Sequence, residues 1–318
     1  MKLQSRKIVI IGAGHVGSHA GYALAAQGLA EHIMFIDLDA AKARAQAMDI
    51  SDASLYLPHS VKVSAGDYSQ AGDADLIIVS AGPLPDRSKG QNRMDTLGQT
   101  VAVMKDVIAK LKELKFDGII LNISNPADVI THYLQKGLNH PPRKILSTST
   151  TLDSARLRRA LSEAMGIDRK SILAHVLGEH GESQMVAWSA ASVAGKPLRQ
   201  LIAENPLYGG LDLEAIAKEA RGGGWTVLEG KGSTEFGIAS SIAEVVRALF
   251  GDEKRILPVS VLLDGEYGQK DVYASVPAVL GNNGVEMVLE LSLSEEERKA
   301  FAASCASMRG NLQYALGL

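Results

Sequence analysis

A histidine between two glycines is the first group in this sequence that could carry out proton chemistry. Residues 178–182 read Gly-Glu-His-Gly-Glu around His180, directly after the apolar residues 174–177. Histidine titrates near neutral pH, so one ring nitrogen can exchange a proton with a ligand while a carboxylate holds the other. Taken alone, this stretch is more typical of an ordinary histidine in a surface loop. The acid–base interpretation therefore depends on partners elsewhere in the chain.

A carboxylate and a guanidinium stand three residues apart where a long helix is predicted to begin. Asp153 and Arg156 fall in a predicted helix from residue 151 to about residue 166, and this spacing puts both side chains on one face. Asp153 lies in the first turn, where the helix dipole favours an ionised carboxylate that could orient a histidine. Arg156 could grip a substrate carboxylate with its planar fork. The alternative is an intrahelical salt bridge, worth about a few tenths of a kcal/mol.

A glycine pattern near the N-terminus is typical of dinucleotide binding. A predicted strand, residues 7–11, leads into Gly12, Gly14 and Gly17, and residues 18–27 are then predicted to form a helix. The first glycine permits a tight turn, the second lets the backbone approach a pyrophosphate, and the third lets the helix pack closely on the strand. The free N–H groups at the start of the helix would face the phosphates.

An acidic residue follows at the position expected for ribose binding. Asp37 ends the second predicted strand, residues 32–36, and comes twenty residues after Gly17. A carboxylate there would accept hydrogen bonds from the adenosine ribose and would repel the 2′-phosphate of NADP. Strand, spacing and acid together favour an NAD site over an unrelated glycine turn between a strand and a helix.

Composition narrows the class of protein. The 318 residues are enough for two domains that share a cleft, or for one large domain. A net charge of −3, with 46% hydrophobic and 22% charged residues, is ordinary for a globular protein and gives no basic footprint for nucleic acid. The single cysteine, Cys305, excludes an intrachain disulfide and a multi-cysteine metal site. We see no signal peptide or membrane span, so we expect a cytoplasmic protein. We also expect no bound metal.

Predicted strands and helices alternate through the first half of the chain. The predicted strands are residues 7–11, 32–36, 61–63, 75–80, 118–123 and 144–146. This alternation predicts an α/β fold with a doubly wound parallel sheet, or Rossmann sheet, whose ligands bind at the carboxyl ends of the strands. The residues at those ends are Gly12, Asp37, Gly82, Asn125 and Thr148.

The pattern changes after His180, where an α+β catalytic domain is predicted. Predicted strands there are residues 185–193, 256–263, 272–276 and 285–291, with spacing typical of antiparallel hairpins. Helices are predicted over residues 213–228, with an interruption at Gly222-Gly223-Gly224, over residues 234–250, and from a capping box at residues 294–297 onward. We place an NAD-binding domain at residues 1–149 and a substrate domain at residues 150–318.

Residues 82–95 connect the fourth strand to the next helix and could move. The segment holds two prolines, two glycines and three cations, and it lies at the ligand end of the predicted sheet. These features fit a lid that closes over a ligand. A solvated connection would have the same composition, and the residues alone do not separate the two.

In combination, the motifs resemble those of the NAD-dependent L-lactate/malate dehydrogenase family from end to end. They are Gly12 to Gly17 with Val16 inside the loop, Asp37, Ser124-Asn125-Pro126, Leu152 to Arg156, Gly178 to Gly181, and Gly230 to Ala239. Residues 222–232 look most like the L-2-hydroxyisocaproate dehydrogenase branch of that family.

The resemblance implies a role for each matching residue. His180 would be the proton donor and acceptor with Asp153 as its partner, while Arg156 would bind the substrate carboxylate. Arg93 would close with the lid and polarise the reacting carbonyl. Further implied contacts are Asn125 at the reacting centre, Thr148 and Val16 on the cofactor side, and Thr234 and Ile238 along the substrate pocket.

The resemblance leaves the substrate open. In the short-lid enzymes the specificity residue lies six positions before the lid arginine, which gives Arg87, a cation suited to a second carboxylate; counting forward from Gly82 gives Pro85 instead. The lid is longer here, as in the hydroxyisocaproate branch. We therefore favour a 2-oxo monocarboxylic acid of the 2-oxoisocaproate or pyruvate type, with malate dehydrogenase as the alternative. A non-catalytic NAD-binding protein is the competing class.

The resemblance also bears on assembly and regulation. Family members are usually dimers or tetramers, so we expect a homo-oligomer and favour a tetramer. Bacterial members activated by fructose 1,6-bisphosphate carry an arginine and a histidine at a phosphate site. Arg158 matches that arginine, but Leu173 stands in place of the histidine, so we expect no such activation.

Overall fold

The computed structural model describes residues 6–85, 89–91 and 94–318. Its first half contains the strands β1 (Lys7–Ile11), β2 (His32–Ile36), β3 (Lys62–Ala65), β4 (Leu76–Val79), β5 (Ile119–Asn122) and β6 (Ile145–Ser147). Between and after them lie the helices α1 (His15–Ala26), α2 (Ala40–Ser54), α3 (Leu97–Leu114), α4 (Ala127–Leu138) and α5 (Thr151–Met165).

The second half has short strands, four helices and a long antiparallel ribbon. The short strands are β7 (Ile172–Leu173), β8 (Val176–Leu177), β9 (Met185–Val186), β10 (Ser192–Val193) and β11 (Lys196–Pro197). The ribbon is β12 (Arg255–Asp264), β13 (Lys270–Gly281) and β14 (Gly284–Val288). The helices are α6 (Leu198–Glu204), α7 (Leu213–Lys231), α8 (Phe236–Phe250) and α9 (Glu295–Gly317).

One mixed sheet runs through both halves, in the order β14-β13-β12-β6-β5-β4-β1-β2-β3. The strands β1 to β6 are parallel, which confirms the predicted doubly wound sheet, and each residue of β1 and of β4 is buried. Helices cover both faces, so these strands are apolar without alternation. The antiparallel ribbon joins β6 through the pair Ser147 and Ser260. The two halves therefore share a single sheet.

Local signals set several helix ends as predicted. The Ser294 side chain accepts a hydrogen bond from the Glu297 backbone at 3.2 Å, and Glu297 accepts one from the Ser294 backbone at 2.9 Å. This reciprocal cap satisfies two N–H groups at the start of α9. The helix α5 ends at Met165, and the next residue, Gly166, adopts the left-handed conformation that closes a helix.

Two predictions for the second half are wrong. The helix α7 runs without a break through residues 222–224, although each glycine costs about 1 kcal/mol relative to alanine. The Asp212 side chain caps α7 at two backbone N–H groups, and the helix packs along α5, which outweighs this cost. Residues 185–193 are not one strand, because a short 3-10 turn at Trp188–Ala190 separates β9 from β10. In the described part of the chain, no helix is long and apolar enough to cross a membrane.

Candidate active site

The loop between β8 and β9 carries His180 and is fixed from two sides. Gly178, in a left-handed conformation, exchanges backbone hydrogen bonds with Ser275 of β13 at 3.0 and 2.9 Å. The backbone N–H of Glu179 donates to the Ser304 hydroxyl of α9 at 3.0 Å. Because its neighbours are held in this way, the position of His180 follows from the fold rather than from the loop alone.

Asp153 links the histidine to the arginine. Its Oδ2 lies 2.5 Å from His180 Nδ1, and its Oδ1 accepts a hydrogen bond from Arg156 Nη1 at 2.9 Å. The Asp153 side chain is 3% exposed. The intrahelical pair and the histidine contact, which the sequence offered as alternatives, are therefore both present. Since Nδ1 is engaged, Nε2 is the ring nitrogen left for a ligand.

A second carboxylate, Asp128, supports the same loop, and the sequence analysis missed it. Its Oδ2 accepts the His180 backbone N–H at 2.8 Å, and its Oδ1 accepts the Ser149 hydroxyl at 2.8 Å. Burial raises the pKa of the Asp128 carboxyl, and hydrogen bonds offset part of that rise. The available signal was an acidic residue in the first turn of a helix that begins at the ligand end of β5.

One cavity collects most of the residues predicted to bind substrate. The predicted residues that line it are Val16, Asn125, Thr148, Arg156, His180, Thr234 and Ile238. In addition, Leu84, Pro85, Leu152, Trp225 and Leu228 form an apolar wall. Trp225 comes from α7. Its position on the wall depends on the unbroken course of α7.

Asn125 lines this cavity and has a side-chain oxygen without a partner in the described structure. Its Oδ1 is buried and has no hydrogen-bond partner in the described structure. The residue stands directly after Ser124 at the end of β5, next to a cis peptide bond with Pro126. A buried polar atom without a partner costs free energy, so a ligand that donates a hydrogen bond here would be stabilised.

The glycine loop adopts the shape that a bound pyrophosphate requires. Gly12 has φ +103°, and a Cβ there would lie 2.3 Å from the Ser80 carbonyl oxygen. A Cβ on Gly17 would lie 2.0 Å from the Gly12 carbonyl oxygen, so only glycine permits this contact between α1 and the loop. A Cβ on Gly14 would lie 4.0 Å from Lys42 Nζ, and no side chain caps the start of α1. The N–H groups there remain available for phosphate oxygens.

A crevice extends from the cavity along the ends of the parallel strands. Both share Val16, Leu84, Pro85, Ile123 and Asn125, and the crevice adds Gly14, Lys42, Gly82 and Ser233. Asp37 stands at the end of β2, where its Oδ2 accepts the Ala13 backbone N–H at 2.7 Å. The carboxylate is thereby fixed beside the glycine loop. These residues fit a dinucleotide.

Some predicted residues fall outside this description. Arg87 and Arg93 lie outside the described residues, and of the predicted lid the structure describes residues 82–85, 89–91 and 94–95. In residues 6–85, 89–91 and 94–318, no group of His, Cys, Asp and Glu side chains is arranged to hold a metal ion. Arg158 and Leu173, which the sequence analysis compared with the phosphate site of activated relatives, are both described. The Arg158 Nε donates a hydrogen bond to the Ala174 carbonyl at 3.1 Å, and the Leu173 side chain is exposed.

Comparisons with known proteins cover almost the whole chain. Residues 6–147 match the lactate/malate dehydrogenase NAD binding domain, and residues 150–316 match the lactate/malate dehydrogenase alpha/beta C-terminal domain. The L-lactate dehydrogenase 3 of Bacillus anthracis is 42% identical over 96% of both chains. The L-lactate dehydrogenase 1 of Staphylococcus aureus (strain MRSA252) is 37% identical over 97% of this chain and 96% of its own.

Solved structures agree with the sequence relatives. The ligands-bound form of minor L-lactate dehydrogenase from Enterococcus mundtii superposes with a TM-score of 0.94, at 32% identity and 98% coverage of both chains. The lactate dehydrogenase MGS-M5, from a Medee basin deep-sea metagenome library, gives a TM-score of 0.93 at 34% identity, covering 98% of this chain and 99% of its own. The chain therefore belongs to the lactate/malate dehydrogenase family and is an NAD-dependent 2-hydroxy-acid dehydrogenase.

Proposed function

We propose that this protein transfers a hydride reversibly between NADH and a 2-oxo monocarboxylic acid of the pyruvate or 2-oxoisocaproate type. The observation that carries the proposal is the chain of contacts from His180 through Asp153 to Arg156 at a cavity with an apolar wall. The names of the relatives, L-lactate dehydrogenases, support the same substrate class.

His180 is the proposed proton donor for reduction and the acceptor for oxidation. NADH, held by the glycine loop and Asp37, would supply the hydride to the carbonyl carbon of the 2-oxo acid, and the carbonyl oxygen would then need a proton. The imidazolium gives that proton from Nε2 while Asp153 holds Nδ1 at 2.5 Å and stabilises the positive charge. Oxidation runs the same transfer in reverse, so the histidine must then start neutral.

Arg156 and Asn125 are proposed to orient the substrate. One guanidinium nitrogen of Arg156 is held by Asp153, and the others are free to form a paired contact with a substrate carboxylate. The Oδ1 of Asn125, which lacks a protein donor, would accept a hydrogen bond from the reacting hydroxyl or from the nicotinamide amide. Thr148 and Val16 would then contact the nicotinamide, and Thr234 and Ile238 the substrate.

A single carboxylate suits the cavity as described. Within the described residues Arg156 is the only arginine or lysine on its wall, whereas Leu84, Pro85, Trp225 and Leu228 are apolar. A dicarboxylic acid would need a second cation. Arg87 could supply one and would make malate the substrate, which is the alternative function. The polarising role of Arg93 and the closure of residues 82–95 stay predictions from the resemblance.

The assembly is proposed to be a homo-oligomer, with a tetramer favoured over a dimer. Large apolar side chains are exposed on α1, on α2 and directly after it, and at the start of α8: Tyr22, Met48, Leu55, Tyr56 and Phe236. A second copy of the chain could cover such side chains. We also propose a cytoplasmic location and the division into domains at residues 149 and 150.

The first test is a substrate comparison with purified protein and NADH. Pyruvate, 2-oxoisocaproate, phenylpyruvate and oxaloacetate are compared by the loss of NADH absorbance. We expect a monocarboxylic acid to exceed oxaloacetate in kcat/KM by about tenfold or more, because an unpaired second carboxylate would be buried against apolar side chains. A preference for oxaloacetate would establish the malate alternative. Binding of NADH without turnover of any acid would support a non-catalytic protein.

A further inference from the structure

Three successive glycines in α7 lie beside the arginine that is proposed to bind the substrate carboxylate. Glycine is, after proline, the least favourable residue inside a helix, yet Gly222, Gly223 and Gly224 follow one another without interrupting α7. A Cβ on Gly223 would lie 3.4 Å from Arg156 Cδ, so the helix backbone runs close to that side chain. Gly224 is buried and lines the cavity of His180. Because glycine has no side chain, the cavity wall at this point is helix backbone.

The next residue of α7, Trp225, supplies an aromatic ring beside this stretch of backbone. Trp225 and Leu228 also line the cavity and, being three residues apart, share a face of the helix. The indole Nε1 donates a hydrogen bond to Glu182 Oε1 at 3.4 Å, and Glu182 belongs to the loop of His180. The N–H is the one polar group of an indole, so the rest of the ring is an apolar surface tied to both α7 and the histidine loop.

The α7 wall, made of Gly224, Trp225 and Leu228, belongs to the substrate end of the site. Among the described residues, α7 lines the cavity and does not line the crevice that fits the dinucleotide. The same holds for Arg156 and His180, which are proposed to hold the carboxylate and the carbonyl oxygen of the substrate. In a 2-oxo acid anchored at those two groups, the side chain is the one remaining substituent of the carbonyl carbon. The α7 wall is the apolar surface that adjoins both anchors.

We propose that Trp225 is a specificity-determining residue and that the α7 wall selects a 2-oxo acid with an aromatic side chain. The inference rests on the proposed function and narrows its substrate class. The flat ring of such a substrate packs over the backbone of Gly224 and against the indole, which Glu182 keeps in place. Two aromatic rings attract each other beyond their apolar contact, and a backbone surface gives a planar group room that a side chain would fill. The methyl group of pyruvate offers little surface to either.

The first measurement compares phenylpyruvate, 2-oxoisocaproate and pyruvate as substrates of the native protein with NADH. We expect kcat/KM for phenylpyruvate to exceed that for pyruvate by about tenfold or more, because burial of even one further methylene in an apolar pocket is worth about that factor. It should exceed the value for 2-oxoisocaproate by about threefold or more, because two rings attract each other. A preference for pyruvate or for the branched acid would overturn the inference.

Trp225→Leu keeps the wall apolar and removes the ring. The ratio of kcat/KM for phenylpyruvate to that for 2-oxoisocaproate should fall by about three- to tenfold, whereas a merely structural role would lower both values together. Trp188→Leu is the matched control, because Trp188 is also half-buried but packs against a separate apolar cluster. Its ratio should stay that of the native protein. An unchanged ratio in Trp225→Leu, or the same change in both variants, would overturn the inference.

Gly224→Ala tests the backbone surface and replaces Trp225→Leu should that variant fail to fold. Alanine favours a helix, while its methyl group takes room from the substrate ring, so the kcat/KM ratio of phenylpyruvate to pyruvate should fall by about tenfold. Gly222→Ala is the control, because no described atom outside its own helix backbone lies within 4 Å of the added Cβ. Its ratio should equal the native one. Equal ratios in the two variants would contradict the proposed subsite.

Binding measured without turnover keeps this inference distinct from the proposed function. In Trp188→Leu, Trp225 is the single tryptophan, so the emission reports on the α7 wall. NAD⁺ and a 2-oxo acid are both oxidised, and no hydride passes between them. With NAD⁺ present, we expect phenylpyruvate to change this emission and to bind with a Kd about tenfold below that of pyruvate. Such selectivity in a protein that reduces no 2-oxo acid would refute the function and retain the subsite. Reduction of 2-oxo acids without it would retain the function and refute the subsite.

Discussion

Arg156 illustrates how one side chain can face two carboxylates. Its Nη1 is already bonded to Asp153 at 2.9 Å, and its side chain is 12% exposed at the cavity wall. The rigid fork of five N–H donors allows the remaining donors to bind a substrate carboxylate in plane. A lysine has the same charge but a single flexible donor group, so it cannot maintain both contacts with the same geometry.

We therefore expect Arg156→Lys to weaken substrate binding more than turnover. The KM for the 2-oxo acid should rise by about 10–100-fold, the range expected when a charged hydrogen-bonded pair is lost. The Kd for NADH, measured by fluorescence, should remain close to that of the native protein. Arg159→Lys is the control, because Arg159 pairs with Glu163 and Glu219 on the outer side of α5. A KM that stays constant in Arg156→Lys would contradict the carboxylate role.

At this scale the sequence predicts contacts that lie within one motif better than contacts between distant segments. The spacing of Asp153 and Arg156 specifies a shared helix face, and the structure has it. Asp128 was missed because its contact with His180 spans 52 residues and uses a backbone N–H that no side-chain pattern reveals. Burial of its carboxylate becomes apparent only after α4 packs against the sheet.

At the scale of the helices, two glycines with different surroundings predict opposite effects of alanine on stability. Gly21 lies in α1 against the buried ring of Phe35, and a Cβ there would come within 2.4 Å of the ring. Gly21→Ala should therefore lower the free energy of unfolding by about 1–3 kcal/mol, since α1 must move away from β2. Urea denaturation followed by circular dichroism measures this change.

Gly222 of α7 serves as the matched variant with the opposite expected sign. Apart from the backbone of its own helix, no atom of the described residues lies within 4 Å of the Cβ that alanine would add. Gly222→Ala should raise the free energy of unfolding by about 0.5–1 kcal/mol, because alanine loses less backbone entropy in a helix. If both variants lose stability to the same extent, the contact with Phe35 is not what requires Gly21.

The elements themselves were predicted where a local pattern decides them. Inner parallel strands such as β1 and β4 are predicted correctly because both of their faces are buried and their sequences are almost continuously apolar. The unbroken course of α7 was not predicted, because capping by Asp212 and packing on α5 outweigh the free-energy cost of the three glycines. Residues 185–193 resemble a strand in composition, but their two ends pair with different partners, β8 and β7.

For the whole molecule, two buried histidines make stability depend on pH. Burial lowers the pKa of His132 to about 4, and burial lowers the pKa of His175 to about 4 with a further contribution from the Arg158 charge. Both are neutral in the folded protein near pH 6.5, where the unfolded chain begins to bind protons. Stability is therefore lost as pH falls from about 6.5 to 4, by up to about 3 kcal/mol for each group.

His175→Asn should flatten this dependence. The loss of unfolding free energy between pH 7 and pH 5 should be smaller by about 2 kcal/mol than in the native protein, because one proton-binding group of the unfolded chain is gone. Chemical denaturation at both pH values, followed by tryptophan fluorescence, gives the difference. His59→Asn, at an exposed position, should leave it unchanged. An unaltered pH dependence in His175→Asn would exclude a neutral buried imidazole there.

The seam between β6 and β12 also has a consequence for how the chain is made. On one side β6 pairs with β5, and its other edge pairs with β12 through Ser147 and Ser260. The ribosome completes α5 to α8 before it makes β12, so this edge stands open during much of synthesis. An open edge of buried, apolar strand residues is a template for pairing with another nascent chain. The NAD-binding half thus depends on the last third of the chain to close its own sheet.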